Sequence, residues 1–336
     1  MNGIESDTPI RWGIIATGGI AHAFAKDLAL LPDATLVAVG SRSAESAGAF
    51  ADEFGVPNRH ASYQALVEDP EVDAVYVATP HPGHHAAALQ AIRAGKAVLL
   101  EKPFTMDAAQ GRDLVEAARS AGTFLMEAMW TRFLPHMVRV REILAEGRLG
   151  QIITLTAEHG QWFKHHPEFR LFKPELGGGA LLDLGIYPVS FASMVLHSPT
   201  AVTAVSDAAF TGVDAQTSMI FQYDGGAHAV LNTTSYARTG NAAAINGTDA
   251  RLEIAGTFYA PSTFRLIDRN GMELECYDIP LEGNGLRFEA AEVGRCLRAG
   301  LTESPILTLD ETLSIMETMD EIRRQIGLTY QTYLAY

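Results

Sequence analysis

Gly177-Gly178-Gly179-Ala180-Leu181-Leu182-Asp183-Leu184-Gly185-Ile186-Tyr187-Pro188 is the densest chemical signal in this chain. Three glycines leading into a short apolar helix let the backbone approach a ligand closely. Asp183 and Tyr187 stand four apart, so on a helix they share one face. A phenol near a lysine can act as a proton donor, because the ammonium favours the phenolate. The plainer reading is a capping aspartate and a packed ring. A lysine is at hand in Glu101-Lys102-Pro103, which closes the apolar run Ala97–Leu100.

The apolar run Ile10–Ile15 leads into Ala16-Thr17-Gly18-Gly19-Ile20-Ala21. A dinucleotide site needs a tight turn there, close backbone approach to a pyrophosphate, and a helix N-terminus with free N–H groups. The chain reads A-x-G-x-x-A where the usual pattern is G-x-G-x-x-G/A. A glycine turn that merely joins strand to helix is the alternative, and the position after a first strand favours the cofactor. The next strand ends in Val39-Gly40-Ser41-Arg42-Ser43, without the carboxylate that would hold a ribose 2′-hydroxyl. Ser41 and Arg42 suit a 2′-phosphate instead, so NADP is expected, with NAD possible. Beside a nicotinamide, which is positive when oxidised, Lys102 would be partly desolvated and its pKa lowered. It could then hydrogen-bond a substrate oxygen and assist proton transfer; a surface ion pair would use the same residue.

Thr79-Pro80-His81-Pro82-Gly83-His84-His85 follows the run Ala74–Val77, where loops of a parallel sheet line the ligand crevice. Neither these histidines nor His159, His165 and His166 have partners at metal-ligand spacing, and no metal is expected.

The elements that must carry these groups change character along the chain. From Ile10 to about Glu127, strands at 10–15, 35–39, 74–77, 97–100 and 123–126 alternate with helices at 20–31, 44–54, 84–94 and 108–121. That alternation predicts parallel βαβ units in a doubly wound sheet. Beyond it, strands at 154–158, 201–209 and 216–223 lack intervening helices. Asp224-Gly225-Gly226 and Asn270-Gly271 mark hairpins, and Asn246-Gly247 a further turn. A mostly antiparallel sheet is expected, one face covered by helices around 181–196 and 289–299. A last helix starts near Leu309, with Thr308 and Glu311 at capping-box spacing. The expected division is 1–127, a dinucleotide-binding domain, and 128–336, a substrate and dimerisation domain.

Composition sets the outer limits. Hydrophobic residues at 47% imply a packed globule rather than a disordered chain, and a net charge of −15 argues against a general nucleic-acid surface. Two cysteines make neither a disulfide framework nor a zinc site and suit a reducing cytoplasm. No run reads as a secretory core or as long enough to span a bilayer, so a soluble, cytosolic protein is expected.

Taken together, the phosphate loop, Thr79-Pro80 with His84, Glu101-Lys102-Pro103 and the glycine–Asp183–Tyr187 motif occur in the order and spacing of one family. The chain resembles the Gfo/Idh/MocA nicotinamide-dependent oxidoreductases along nearly its whole length. Tyrosine at 187, with Glu127-Ala128-Met129-Trp130-Thr131-Arg132-Phe133-Leu134-Pro135, is similar to the branch of dimeric dihydrodiol dehydrogenases and NADP-dependent D-xylose dehydrogenases.

The resemblance implies a Rossmann domain followed by an α/β domain whose open sheet makes a homodimer or homotetramer. It implies Lys102 at the reaction centre, Asp183 orienting substrate and Tyr187 exchanging a proton. It also puts Ala16, Thr17, Gly18, Gly19, Ile20, Ser41, Arg42, Thr79, Pro80, His81, His84, Glu101, Lys102, Trp130 and Arg132 around the cofactor. Trp130, Phe133 and Trp162 would line the substrate side with Lys102, Asp183 and Tyr187. The expected reaction is hydride transfer at a carbinol carbon of a sugar, cyclic polyol or diol. A non-catalytic dinucleotide sensor and a reductase of an imine or conjugated double bond are the alternatives.

Overall fold

Six short strands lie side by side, all parallel, in the order β3-β2-β1-β4-β5-β6. They are β1 (Ile10–Ile15), β2 (Ala34–Gly40), β3 (Asn58–His60), β4 (Ala74–Val77), β5 (Ala97–Glu101) and β6 (Leu125–Ala128). The computed structural model describes residues 8–330. Every residue of β4, β5 and β6 is buried, as a sheet covered on both faces requires. The covering helices are α1 (Gly19–Leu28), α2 (Ala44–Phe54), α3 (Tyr63–Val67), α4 (His84–Arg93) and α5 (Ala108–Ala121). Trp12, Phe24 and Tyr76 pack at the centre of this core, with the Phe24 and Tyr76 rings stacked 3.8 Å apart. Each such ring contributes about 1.5–3 kcal/mol by leaving water. The strand order reverses between β1 and β4. Ligands of doubly wound sheets bind outside the carboxyl ends at such a point.

The second sheet has eight strands in the order β14-β13-β12-β11-β7-β10-β9-β8. They are β7 (Ile152–Gly160), β8 (Ala201–Ala208), β9 (Asp214–Gln222), β10 (His228–Thr234), β11 (Ala243–Gly247), β12 (Ala250–Ile254), β13 (Phe264–Asp268) and β14 (Glu273–Tyr277). All neighbours are antiparallel except β7 and β10, which run parallel. Both expected hairpins form, with Gly225, Gly226 and Gly271 at φ 86°, 87° and 91°. Strict alternation in β9 buries one face and exposes the other. The buried face of the sheet packs against α7 (Ile186–Leu196) at β7 and β10 and against the segment Leu181–Gly185 at β9; α6 (Pro135–Ala145) opens this half of the chain.

The described chain divides into two compact units: residues 8–130 with Glu282–Leu313, and Thr131–Leu281 with residues 314–330. Helix α8 (Arg287–Arg298), expected to cover the antiparallel sheet, belongs to the first unit, against α1. Asp27 of α1 explains this. Its carboxylate accepts the N–H groups of Asn284 and Leu286 at 2.8–3.0 Å, anchoring the start of α8. Helix α9 (Leu309–Ile326) begins as expected, Thr308 Oγ1 accepting the Glu311 N–H at 3.1 Å. Contrary to expectation, one stretch, Pro174–Leu196, is long and apolar enough to cross a membrane, with a mean hydropathy of 1.5; most of it is buried within the protein.

Candidate active site

At the carboxyl end of β1 the chain turns through Ala16 at φ 77°. That left-handed conformation is the one a first glycine would adopt, and alanine takes it at a cost of about 1–2 kcal/mol. The departure from the usual motif therefore leaves the turn intact. Gly18 caps α1 with no side-chain hydrogen bond, and no acidic residue stands in the first helical turn. A Cβ at Gly18 or Gly19 would meet nothing within 4 Å. An open, uncapped helix start free of carboxylates fits an anionic phosphate group. Thr17 is half-buried and Ile20 exposed beside it. Ser41 is buried at the end of β2, its Oγ accepting the Ser43 N–H at 3.4 Å, and Arg42 is exposed.

Beyond β4, Thr79 Oγ1 is buried with no hydrogen-bond partner among the described residues. Pro80 is half-buried and His81 buried. His84, expected at the cofactor, is buried and bonded internally. Its Nδ1 lies 2.8 Å from the Pro103 carbonyl and its Nε2 2.9 Å from that of Thr79. Burial lowers its pKa to about 4, so the neutral ring ties the Thr79 loop to the Lys102 loop. Glu101, expected at the cofactor, is buried: it accepts the Lys102 N–H at 3.0 Å and the Tyr76 hydroxyl. Glu127 Oε1 accepts the Phe104 N–H at 3.0 Å. Two carboxylates thus seat the loop from both sides of Pro103, leaving Lys102 half-exposed.

The second unit holds the other expected groups. The helix read across 181–196 is in fact a π turn, Leu181–Gly185, followed by α7. Such turns recur at functional sites because the wider turn re-aims side chains. Asp183 is 8% exposed, and its Oδ2 pairs with Arg170 Nη2 at 2.8 Å. Tyr187 is 7% exposed and flanked by two rings, His159 at 5.2 Å and Tyr259 at 4.9 Å between centroids. His159 stacks on Tyr259 at 3.7 Å, with Nδ1 3.2 Å from the Leu184 carbonyl and Nε2 2.9 Å from Gln161 Nε2. That network assigns the proton to Nδ1, since Gln161 Nε2 is a donor and the Leu184 oxygen an acceptor.

The triple glycine has a different purpose from the expected one. A Cβ on Gly178 would lie 2.6 Å from the Leu171 carbonyl oxygen, and one on Gly179 2.2 Å from Asp214 Oδ1. These two glycines make room for protein atoms. Arg132 also changes role: it is buried, donating to Ser190 Oγ at 3.1 Å and to the Ser190 carbonyl at 2.7 Å, and so ties its loop to α7. Phe133 is buried, Trp130 half-buried, and Trp162 64% exposed. Among the described residues no group of three or more His, Cys, Asp or Glu is placed to hold a metal ion.

Residues 10–129 match the family model described as "Oxidoreductase family, NAD-binding Rossmann fold", and residues 137–257 match the "GFO/IDH/MocA C-terminal domain". The chain belongs to the Gfo/Idh/MocA oxidoreductase family. It is an NAD(P)-dependent dehydrogenase. It is 39% identical over 332 residues to the trans-1,2-dihydrobenzene-1,2-diol dehydrogenase of Xenopus tropicalis, covering 95% of this chain and 99% of that one. The Mus musculus enzyme of the same name is 39% identical over 333 residues, covering 96% and 98%. Among solved structures, an aldose-aldose oxidoreductase from Caulobacter crescentus, complexed with glycerol, has a TM-score of 0.86 at 25% identity, covering 95% and 98%. A 3-ketoreductase from Actinomadura kijaniata, in complex with NADP and TDP-benzene, has a TM-score of 0.83 at 27%, covering 98% and 100%.

For this family member the residues that sequence reading missed are supports: Tyr76, Glu127, Gln161, Arg170, Asp214 and Tyr259. They come from separate elements, and no spacing along the chain links them to Lys102, Asp183 or Tyr187.

Proposed function

We propose that this dehydrogenase uses NADP(H) to interconvert a carbinol and a carbonyl on a diol or sugar, with a dihydrodiol as the leading substrate class. Support for the substrate class comes from the named function of relatives at 39% identity over 95% of the chain. The observation that carries the chemistry is the seat of Asp183 and Tyr187, two polar groups on one short segment, one held by an arginine and one by two rings. NADP, when bound, supplies the hydride acceptor. Thr17, Gly18, Gly19, Ile20, Thr79, Pro80 and His81 would hold it, with Ser41 and Arg42 on the 2′-phosphate. Tyr187 takes the hydroxyl proton, Lys102 stabilises the developing oxygen charge, and Asp183, oriented by Arg170, accepts from a neighbouring hydroxyl. Exposed Trp162, with Phe169 also exposed, offers aromatic surface for an apolar ring.

The outer face of the second sheet carries exposed Val205, Ile220 and Val230, and a concavity of ≈ 750 Å³ lies on this sheet near Val230, Phe264 and Cys276. That apolar face is proposed as the contact of a homodimer or homotetramer. A cytosolic location is proposed with it, from the two free cysteines.

NADPH formation against dihydrodiols, pentoses, hexoses and inositols tests the reading. Turnover of a dihydrodiol or a sugar is expected. Cofactor binding without turnover of any hydroxyl substrate would favour a sensor. Arg42→Ala should raise the apparent KM for NADP by about 10- to 100-fold, the worth of a charge-assisted hydrogen bond of about 1.5–3 kcal/mol, and barely change that for NAD. Equal changes for both cofactors would count against a 2′-phosphate contact.

A further inference from the structure

One buried carboxylate next to Gly179 has no part in the reaction just described. Asp214, the first residue of β9, is 4% exposed. Its Oδ2 accepts the Leu181 N–H at 2.7 Å and the Thr217 hydroxyl at 3.3 Å. Its Oδ1 occupies the space a Cβ on Gly179 would need, and Gly179 itself sits at φ 118°, open to glycine alone. Leu181 opens the π turn; Asp183 is two residues on and Tyr187 six. Other bonds pin the same segment by its carbonyls: Tyr330 Oη donates to Gly178 O at 2.5 Å, Thr233 Oγ1 to Ala180 O at 3.4 Å, and His159 Nδ1 to Leu184 O at 3.2 Å. Asp214 holds it by an N–H.

We propose that Asp214 is a positioning residue for the reaction, its bond to the Leu181 amide fixing the start of the turn that presents Asp183 and Tyr187. This rests on the roles assigned above to those two residues. A carboxylate is a costly choice of acceptor here. Burial pushes its pKa up to about 6, against the pull of the Leu181 amide and the Thr217 hydroxyl. What the Leu181 amide and the Thr217 hydroxyl require is an acceptor oxygen at this place, which an amide side chain would also present.

The test compares Asp214→Ala and Asp214→Asn in the full chain. It reads kcat, KM, the Kd for NADP, and amide hydrogen exchange over residues 181–187. Alanine should lower kcat by about 10- to 100-fold, the range expected for a misplaced reacting group, with the NADP Kd unchanged and exchange in the segment faster. Asparagine keeps an acceptor oxygen and should restore both kcat and protection to near wild type. Unchanged exchange in a folded alanine variant overturns the proposal, as does an equal loss of kcat in both folded variants. Should alanine not fold, asparagine decides alone: near-native kcat and protection support the role, and a loss as large as that expected of alanine ends it. Failure of the underlying reading looks different. There, Tyr187→Phe and Lys102→Ala both turn over normally, while hydrogen exchange still reports whether Asp214 holds the turn.

Discussion

Replacing Tyr187 by phenylalanine is expected to lower kcat by about 10²–10⁴-fold, the usual contribution of a positioned general acid or base. The substitution is informative because the ring keeps its place. His159 and Tyr259 contact the ring itself, and phenylalanine offers them the same surface. Stability should change by no more than about 1 kcal/mol, the net worth of one hydrogen bond. The Kd for NADP should not move, since the groups proposed above to hold its phosphates, the Gly18 loop and Arg42, belong to the other structural unit. Loss confined to kcat, with KM little altered, is the mark of an interaction made in the transition state. Steady-state rates with a dihydrodiol, beside a fluorescence titration of NADP, check each part. Lys102→Ala should act on the same proton transfer, so the double variant should lose less than the product of the single losses. Undiminished turnover in both single variants would remove Lys102 and Tyr187 from the reaction centre.

The parts of this site legible in the sequence are those set by local rules. Helix α2 starts and stops where Ser43 can cap and Gly55 can adopt a left-handed turn, both visible as letters. The strand, the tight turn at Ala16 and the helix start after Gly18 are readable for the same reason. What stayed hidden depends on partners far along the chain. Strand β3, Asn-Arg-His, has no apolar pattern and pairs only because β2 offers an edge. Helix α8 looked like cover for the second sheet because its amphipathic stripe does not say which sheet it faces; Asp27, more than 250 residues earlier, decides that. His84 and Arg132 carried the chemistry of ligands, yet each finds its acceptors inside the fold, and burial turns a reactive group into a tie. Gly178 and Gly179 read in the sequence as room for close approach by a ligand. The approaching groups, a carbonyl of Leu171 and the carboxylate of Asp214, could not be named from spacing.

Glu289→Gln is expected to gain stability over the wild type progressively as pH rises. Helix α8 places Glu289 wholly inside the first unit, with neither carboxyl oxygen meeting a hydrogen-bond partner. Three other acids surround it electrostatically, and each of those is engaged by donors. Asp27 holds the Asn284 and Leu286 amides, Glu101 the Lys102 amide and the Tyr76 hydroxyl, and Glu127 the Phe104 amide. Burial first, and then the charges of Glu101, Asp27 and Glu127, raise the Glu289 pKa well above the ordinary carboxylate range. A raised folded pKa means that the native state binds a proton the unfolded chain has already released. Stability from this group is therefore complete below the ordinary value near 4.5 and falls as pH climbs toward the folded value, by up to about 1.4 kcal/mol per unit. Glutamine mimics the protonated form in shape and charge and has nothing to release. Urea unfolding midpoints of the two proteins should nearly coincide around pH 5 and diverge in favour of the variant toward pH 8.5. A variant weaker by several kcal/mol at every pH would instead show an ionised Glu289 whose partner had been lost. The consequence reaches Lys102, because the acids that Glu289 would repel when ionised are those that seat the Lys102 loop. Alkaline loss of kcat in the wild type should accordingly be smaller in Glu289→Gln, with the same substrate and saturating NADP.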